Sequence, residues 1–158
     1  MTHEEALIFS RSQAGQQAAR NYLSAVHVLD NAIALRLSRL DALRAQGERI
    51  TQALGGIRGC GYGDKVGEAA AELADQEAAL LEDYQRLLGC QREIGDVIRR
   101  VPDETAKLVL EMRYLQNLSF VAIAMRVHCD ERQAYRYHKR GLEHVAFQLA
   151  LEGLTDTP

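Results

Sequence analysis

The densest run of side chains able to do recognition chemistry follows Asp130: Glu131, Arg132, Gln133, Tyr135, Arg136, Lys139 and Arg140. Arginine carries a planar fork of donors, and glutamine carries a donor beside an acceptor. Both can bond a flat hydrogen-bonding edge twice, as guanine and adenine edges require in the major groove of DNA. Lysine, arginine and a hydroxyl such as Ser119 make the simpler contact to a phosphate. The set therefore splits in two. Glu131, Arg132, Gln133, Tyr135 and Arg136 are candidates for base edges, and Ser119, Lys139 and Arg140 for phosphates. The plain competing explanation is a solvated, charged helix face.

Other chemistries find less support. His3, His27, His128, His138 and His144 do not pair with carboxylates at metal-ligand spacing, and no Ser, His and Asp combination has a local signature. A site built from His128, Cys129 and either His138 or His144 is conceivable. A turn residue, a buried thiol and helix-surface imidazoles explain the same residues more simply. Five glycines fall between Gly55 and Gly63, yet no GxxxxGK[ST] pattern or preceding strand accompanies them, so they read as a hairpin connector rather than a phosphate loop. Cys60, Cys90 and Cys129 are odd in number, widely spaced and without a CxxC arrangement. No enzyme, metal or cofactor is expected.

The elements that would carry the recognition residues are three short helices. Asp103 and Glu104 suit a helix N-terminus, and Leu108, Val109, Met112 and Leu115 follow helical spacing to an end near Gln116. Asn117 suits a left-handed turn, and Ser119 an N-cap for a second helix with Val121, Ile123, Ala124 and Val127. After His128 and Cys129, Asp130 with Gln133 three residues on begins a third, whose inner face is Ala134, Tyr137 and Leu142. Two helices joined by a short turn, with small Ala124 at their crossing and a basic second helix, form the helix-turn-helix pattern.

At these residues the chain resembles a known family. Leu110, Arg113, Tyr114, Leu118, Ser119, Ile123, Ala124, Val127, Asp130, Arg140 and Leu142 resemble, without a gap, the fourth conserved region of bacterial sigma factors. Over about residues 20 to 146 the chain is similar to the phage-encoded ArpU-like late transcription regulators. Leu43-Arg44-Ala45 and Ile50-Thr51 stand in the long helical segment, and Arg113-Tyr114, Glu131-Arg132, Tyr135-Arg136 and His138 in the tail. The resemblance implies promoter contacts for Glu131, Arg132, Gln133 and Arg136. Three positions depart from the pattern. His128 replaces a turn glycine, Ala122 a capping glutamate and Gly141 an alanine. Histidine tolerates positive φ, but a helical glycine costs about 1 kcal/mol relative to alanine, so a less stable module than usual is expected.

Ahead of this module the periodicity is that of a coiled coil. Val66, Leu73, Leu80, Leu87, Ile94 and Val101 fall seven apart in a helix expected over about 65–100, behind Asp64 as its cap. Glu77 and Gln91 interrupt the companion seam. A partner helix over about 16–54 carries Val26, Leu29, Ile33, Leu40, Leu43, Ile50 and Leu54, with Arg36 and Gly47 as seam defects. The matched lengths, about 55 Å each at 1.5 Å per residue, suit an antiparallel hairpin. Leu81, Leu88 and Val97 lie off the seam and call for a cover, best met by a second copy in a four-helix bundle, with the protein's own C-terminal module or another protein as the alternative. Thr2 and Glu5 can form a capping box, but Gly15 interrupts, and little in the first fifteen residues suggests that they are held in place.

Composition agrees with this organisation. Hydrophobic residues make up 47% of 158, which excludes wholesale disorder, and two prolines with almost no alternating β-branched run leave an all-α fold. The expected domains are 1–100, a long antiparallel helical hairpin for assembly or partner docking, and 101–158, a three-helix helix-turn-helix module. Net charge is only −3, but Gly63 to Ile98 holds nine acidic and three basic residues while Lys107 to His144 holds seven basic and four acidic. Any phosphate-binding surface belongs to the second segment. No apolar run spans a membrane and no signal peptide is evident, so a cytoplasmic protein is expected. The expected function is sequence-specific binding of double-stranded DNA as a homodimer that regulates transcription. The alternatives are a module that docks on RNA polymerase without reading DNA, and a small phage DNA-packaging subunit.

Overall fold

The computed structural model describes residues 2–54 and 63–153, and every regular element within them is helical. Helix α1 is His3–Arg11, α2 Gln13–Leu54, α3 Gly63–Arg99 and α4 Glu104–Leu110. A π-helical turn, Glu111–Leu115, follows α4, and α5 Phe120–Val127 and α6 Glu131–Glu152 complete the chain. The all-α expectation holds, and the two long helices lie within three residues of their expected bounds. The glycine connector, Cys60 and the side chains of Ile50, Leu54, Asp64 and Val66 lie outside the described residues.

Contacts divide the chain elsewhere than at residue 100. One unit is Val28–Leu88, and the other joins Met1–His27 to Gly89–Pro158. Within Val28–Leu88 the helices run antiparallel. Arg36 Nε meets Asp83 Oδ2 at 2.7 Å, and eight residues further along α2 Arg44 Nη2 meets Glu77 Oε1 at 2.7 Å. Ile33, Leu40 and Leu87 are buried and Leu73 and Leu80 half-buried, so the heptad stripe does face inward. Arg36, the charged residue on the α2 seam, is accommodated by its ion pair and by Gln76 Oε1 at 3.4 Å. Leu35, Leu81 and Leu88 stay exposed at 57%, 60% and 52%.

In the other unit the seam continues into a true core. Ile94, Val97, Ile98 and Val101 are all buried. Val97, expected to need a cover from outside the hairpin, is covered within this unit, whereas Leu81 and Leu88 stay exposed. The N-terminal residues are also held in place, against expectation. Thr2 and Glu5 form the reciprocal capping box, and Ala6 and Ser10 are buried where α1 packs on α6. The break between α1 and α2 falls at Ser12, whose hydroxyl donates to the Phe9 carbonyl at 2.6 Å and accepts from Gly15 N at 3.0 Å. A β-carbon at Gly15 would collide with that Phe9 carbonyl, so glycine permits the close approach.

Asp103 caps α4 by accepting from the backbone of Thr105 and Ala106, each at 3.0 Å. The expected regular helix to Gln116 is instead widened at Glu111–Leu115. Tyr114 goes inside together with Leu110 and Met112, while Leu108, expected in the core, is 44% exposed. Val109, Met112, Ile123, Ala124 and Ala134 then form one buried cluster, edged by Leu118, Phe120, Val127, Cys129 and Tyr137.

Gly141 is also a close packing position. A β-carbon there would stand 2.8 Å from Leu110 Cδ1. The glycine loses helix propensity but lets α6 lie against Leu110, so alanine at this position overpacks a buried contact.

Candidate nucleic-acid interface

The turn between α5 and α6 follows from three local signals. Ser119 accepts from Ala122 N at 3.3 Å and starts α5; with alanine at 122, no carboxylate returns the bond. His128 takes the left-handed conformation, φ 56°, and Cys129 N donates to Ala124 O at 3.0 Å, closing the helix end. Asp130 then accepts from Gln133 N at 2.7 Å and starts α6, although only this half of the expected capping box is formed. Arg113 braces the assembly from the preceding turn. Its Nη1 donates to Leu118 O at 2.9 Å, and its guanidinium lies 5.4 Å from the Phe120 ring centre.

This scaffold leaves one face of the first two turns of α6 outward. Glu131, Arg132 and Arg136 are exposed, and none makes an ion pair among the described residues. Gln133 is half-buried, and its side-chain oxygen accepts from Arg136 Nη1 at 3.4 Å. Tyr135 is 49% exposed but stacks on Phe120 with ring centres 3.9 Å apart. That contact fixes the ring plane and covers one of its faces. Of the phosphate candidates, Lys139 is exposed, and the Ser119 hydroxyl, already an acceptor, keeps its own proton to donate. Arg140 differs: its Nη1 is bonded to Asp103 Oδ2 at 2.7 Å. Backbone donors at Ala106 and the Arg140 guanidinium hold the Asp103 carboxyl below its usual range. Arg140 is therefore first a clamp between α4 and α6.

No family model, curated protein or solved structure matches the chain.

One histidine expected on the surface of the third helix is buried. His138 is 6% exposed, with Nε2 3.0 Å from the Tyr114 hydroxyl and the Phe120 ring edge-on at 5.1 Å. Burial, reinforced by the positive charges of Arg20 and Arg113, pushes its pKa down to about 4, so the imidazole is neutral at physiological pH. Burial raises the Tyr114 hydroxyl in turn. The two form a buried neutral bond between the π-turn and α6. The pair joins residues twenty-four apart in the chain, so no local spacing records it.

Cys90 and Cys129 are both free and half-buried. Among the described residues no three histidine, cysteine or acidic side chains gather as metal ligands would, and no helix is long and apolar enough to cross a membrane. His128 stays on the turn, while His138 is committed to Tyr114.

Proposed function

We propose that this protein is a sequence-specific DNA-binding transcription regulator of phage or prophage type, reading the major groove with the N-terminal turns of α6. The observation that carries the proposal is the outward set Glu131, Arg132 and Arg136, ion-pair-free among the described residues, on a helix that starts at the Asp130 cap just after the left-handed His128 turn. Side chains on a fixed helix start are the geometry by which helix-turn-helix proteins reach base edges. Lys139 and the Ser119 hydroxyl are the adjoining phosphate contacts. Arg140 contributes mainly by orienting α6 through Asp103.

A homodimer fits this reading, since a twofold pair of modules matches paired half-sites. The exposed Leu81 and Leu88 on the hairpin are the apolar surface a second copy would cover.

The test is to sequence DNA cross-linked to the protein in cells carrying it, then to measure binding to the recovered site. Arg132→Ala or Arg136→Ala should lose about 1 to 3 kcal/mol on that site and relax its preference. Lys139→Ala should weaken every sequence alike and flatten the salt dependence. If all three variants bind as the parent does at physiological salt, direct readout is wrong.

A second reading has its own observation. Leu108, Val121 and Met125 are exposed at 44%, 50% and 71%, an apolar set on α4 and α5 suited to docking on a protein such as RNA polymerase. DNA affinity that appears only when polymerase is added would favour it.

A further inference from the structure

We propose that the cavity beneath the start of α6 binds a small anion that carries a planar ring, of the nucleoside monophosphate class. The proposal goes beyond the regulator reading and does not depend on it. The cavity has a volume of about 300 Å³, at the lower end of the range for small-molecule sites, and is lined by Arg20, Arg113, His27, Tyr114, Phe120 and Tyr135 with Ser24 and His138.

Charge selects an anion. Two guanidiniums and no carboxylate line the cavity, in a chain whose net charge is −3. Arg20 makes no ion pair among the described residues, and Arg113 uses one of its five donors on Leu118 O. A phosphate would receive forked bonds from such groups, the arrangement in which arginine binds most strongly.

The walls select a ring. His27, Tyr114 and His138 form a ladder, with centres 6.0 and 5.7 Å apart and planes within 29° and 23°. Phe120 and Tyr135 form a second stack at 3.9 Å. Each stack covers the faces inside it, so the aromatic surface open to a ligand is on the outer rings, half-buried His27 and Tyr135 at 49% exposure, and it favours a flat ligand over an aliphatic one.

Calorimetric and NMR titration of the full chain with adenosine and guanosine monophosphates tests the proposal, with inorganic phosphate and the uncharged nucleosides as controls. Expected is saturable sub-millimolar binding of a nucleotide, with the controls at least about tenfold weaker. Arg20 is exposed, so Arg20→Ala should keep the parent's thermal unfolding and lose at least about tenfold in affinity. His27→Phe keeps the ring, and should weaken binding less than Arg20→Ala does. Failure of both nucleotides to saturate at several millimolar overturns the proposal, as does Arg20→Ala binding like the parent. Phosphate binding as tightly as the nucleotide removes the role of the ring and overturns it too. If Arg20→Ala weakens duplex DNA binding while nucleotides do not bind at all, the cavity is a DNA phosphate contact and the proposal falls.

Discussion

The two units of this chain use the same long helices differently. In Val28–Leu88 each helix offers one apolar stripe, and the buried apolar residues among those described are Ile33, Leu40 and Leu87. In the unit that joins Met1–His27 to Gly89–Pro158, the stripe of α3 continues as Ile94, Val97, Ile98 and Val101, all buried, and α6 buries Leu142, Val145, Ala146 and Leu149. A two-helix pair can cover only facing stripes, whereas several helices meeting at different angles cover more than one face of each. Stability should therefore be concentrated in the second unit, while Leu35, Leu81 and Leu88 of the first stay exposed.

The largest effect expected from this contrast is on Leu142. It is fully buried, so Leu142→Ala should cost about 2 to 5 kcal/mol in urea unfolding. Leu88→Gln on the hairpin surface should change monomer stability by less than about 0.5 kcal/mol. If the protein sediments as a dimer, the Leu81→Gln, Leu88→Gln double variant should sediment as a monomer. Equal losses of stability from Leu142→Ala and Leu88→Gln would erase the distinction between the units.

Next in size is a pH effect confined to the second unit. The folded pKa of His138 is about 4, below its ordinary 6.5, so between these values the unfolded chain binds the proton and the folded chain does not. Stability should fall as pH drops through that window, by about 3 kcal/mol in all, and level off below it. Asp103 acts lower: its depressed pKa contributes stability that is present above the ordinary carboxylate range and lost as pH falls beneath it. His138→Gln should flatten the first window and leave the second. Urea unfolding at intervals from pH 7 to pH 3 separates them.

The smallest is Gly141→Ala. Helix propensity favours the change by about 1 kcal/mol, and collision with Leu110 Cδ1 at 2.8 Å opposes it by about 1 to 3 kcal/mol. A net loss is expected, reduced when Leu110→Ala makes room. A double-mutant cycle on the unfolding free energies measures that coupling. Stabilisation by Gly141→Ala alone would mean that Leu110 repacks freely and that the propensity argument was sufficient.

Local signals in the sequence determined a good deal. The heptad in α3, the Thr2 and Ser119 caps, the positive φ at Asn117 and His128 and the start of α6 at Asp130 each depend on a few neighbouring residues. The outward set Arg132, Arg136 and Lys139 was legible for the same reason, because a capped helix with a known inner face fixes its outer one. Tertiary structure alone decided the rest. Arg140 is more than thirty residues from Asp103, His138 is twenty-four from Tyr114, and Arg20 is over ninety from Arg113 in the wall of one cavity. No periodicity records pairings at such separations. The π-turn at Glu111–Leu115 is unmarked in the local chain too, and the space kept by Gly141 has a tertiary reason: close packing of α6 on Leu110 stands against a favourable propensity for alanine.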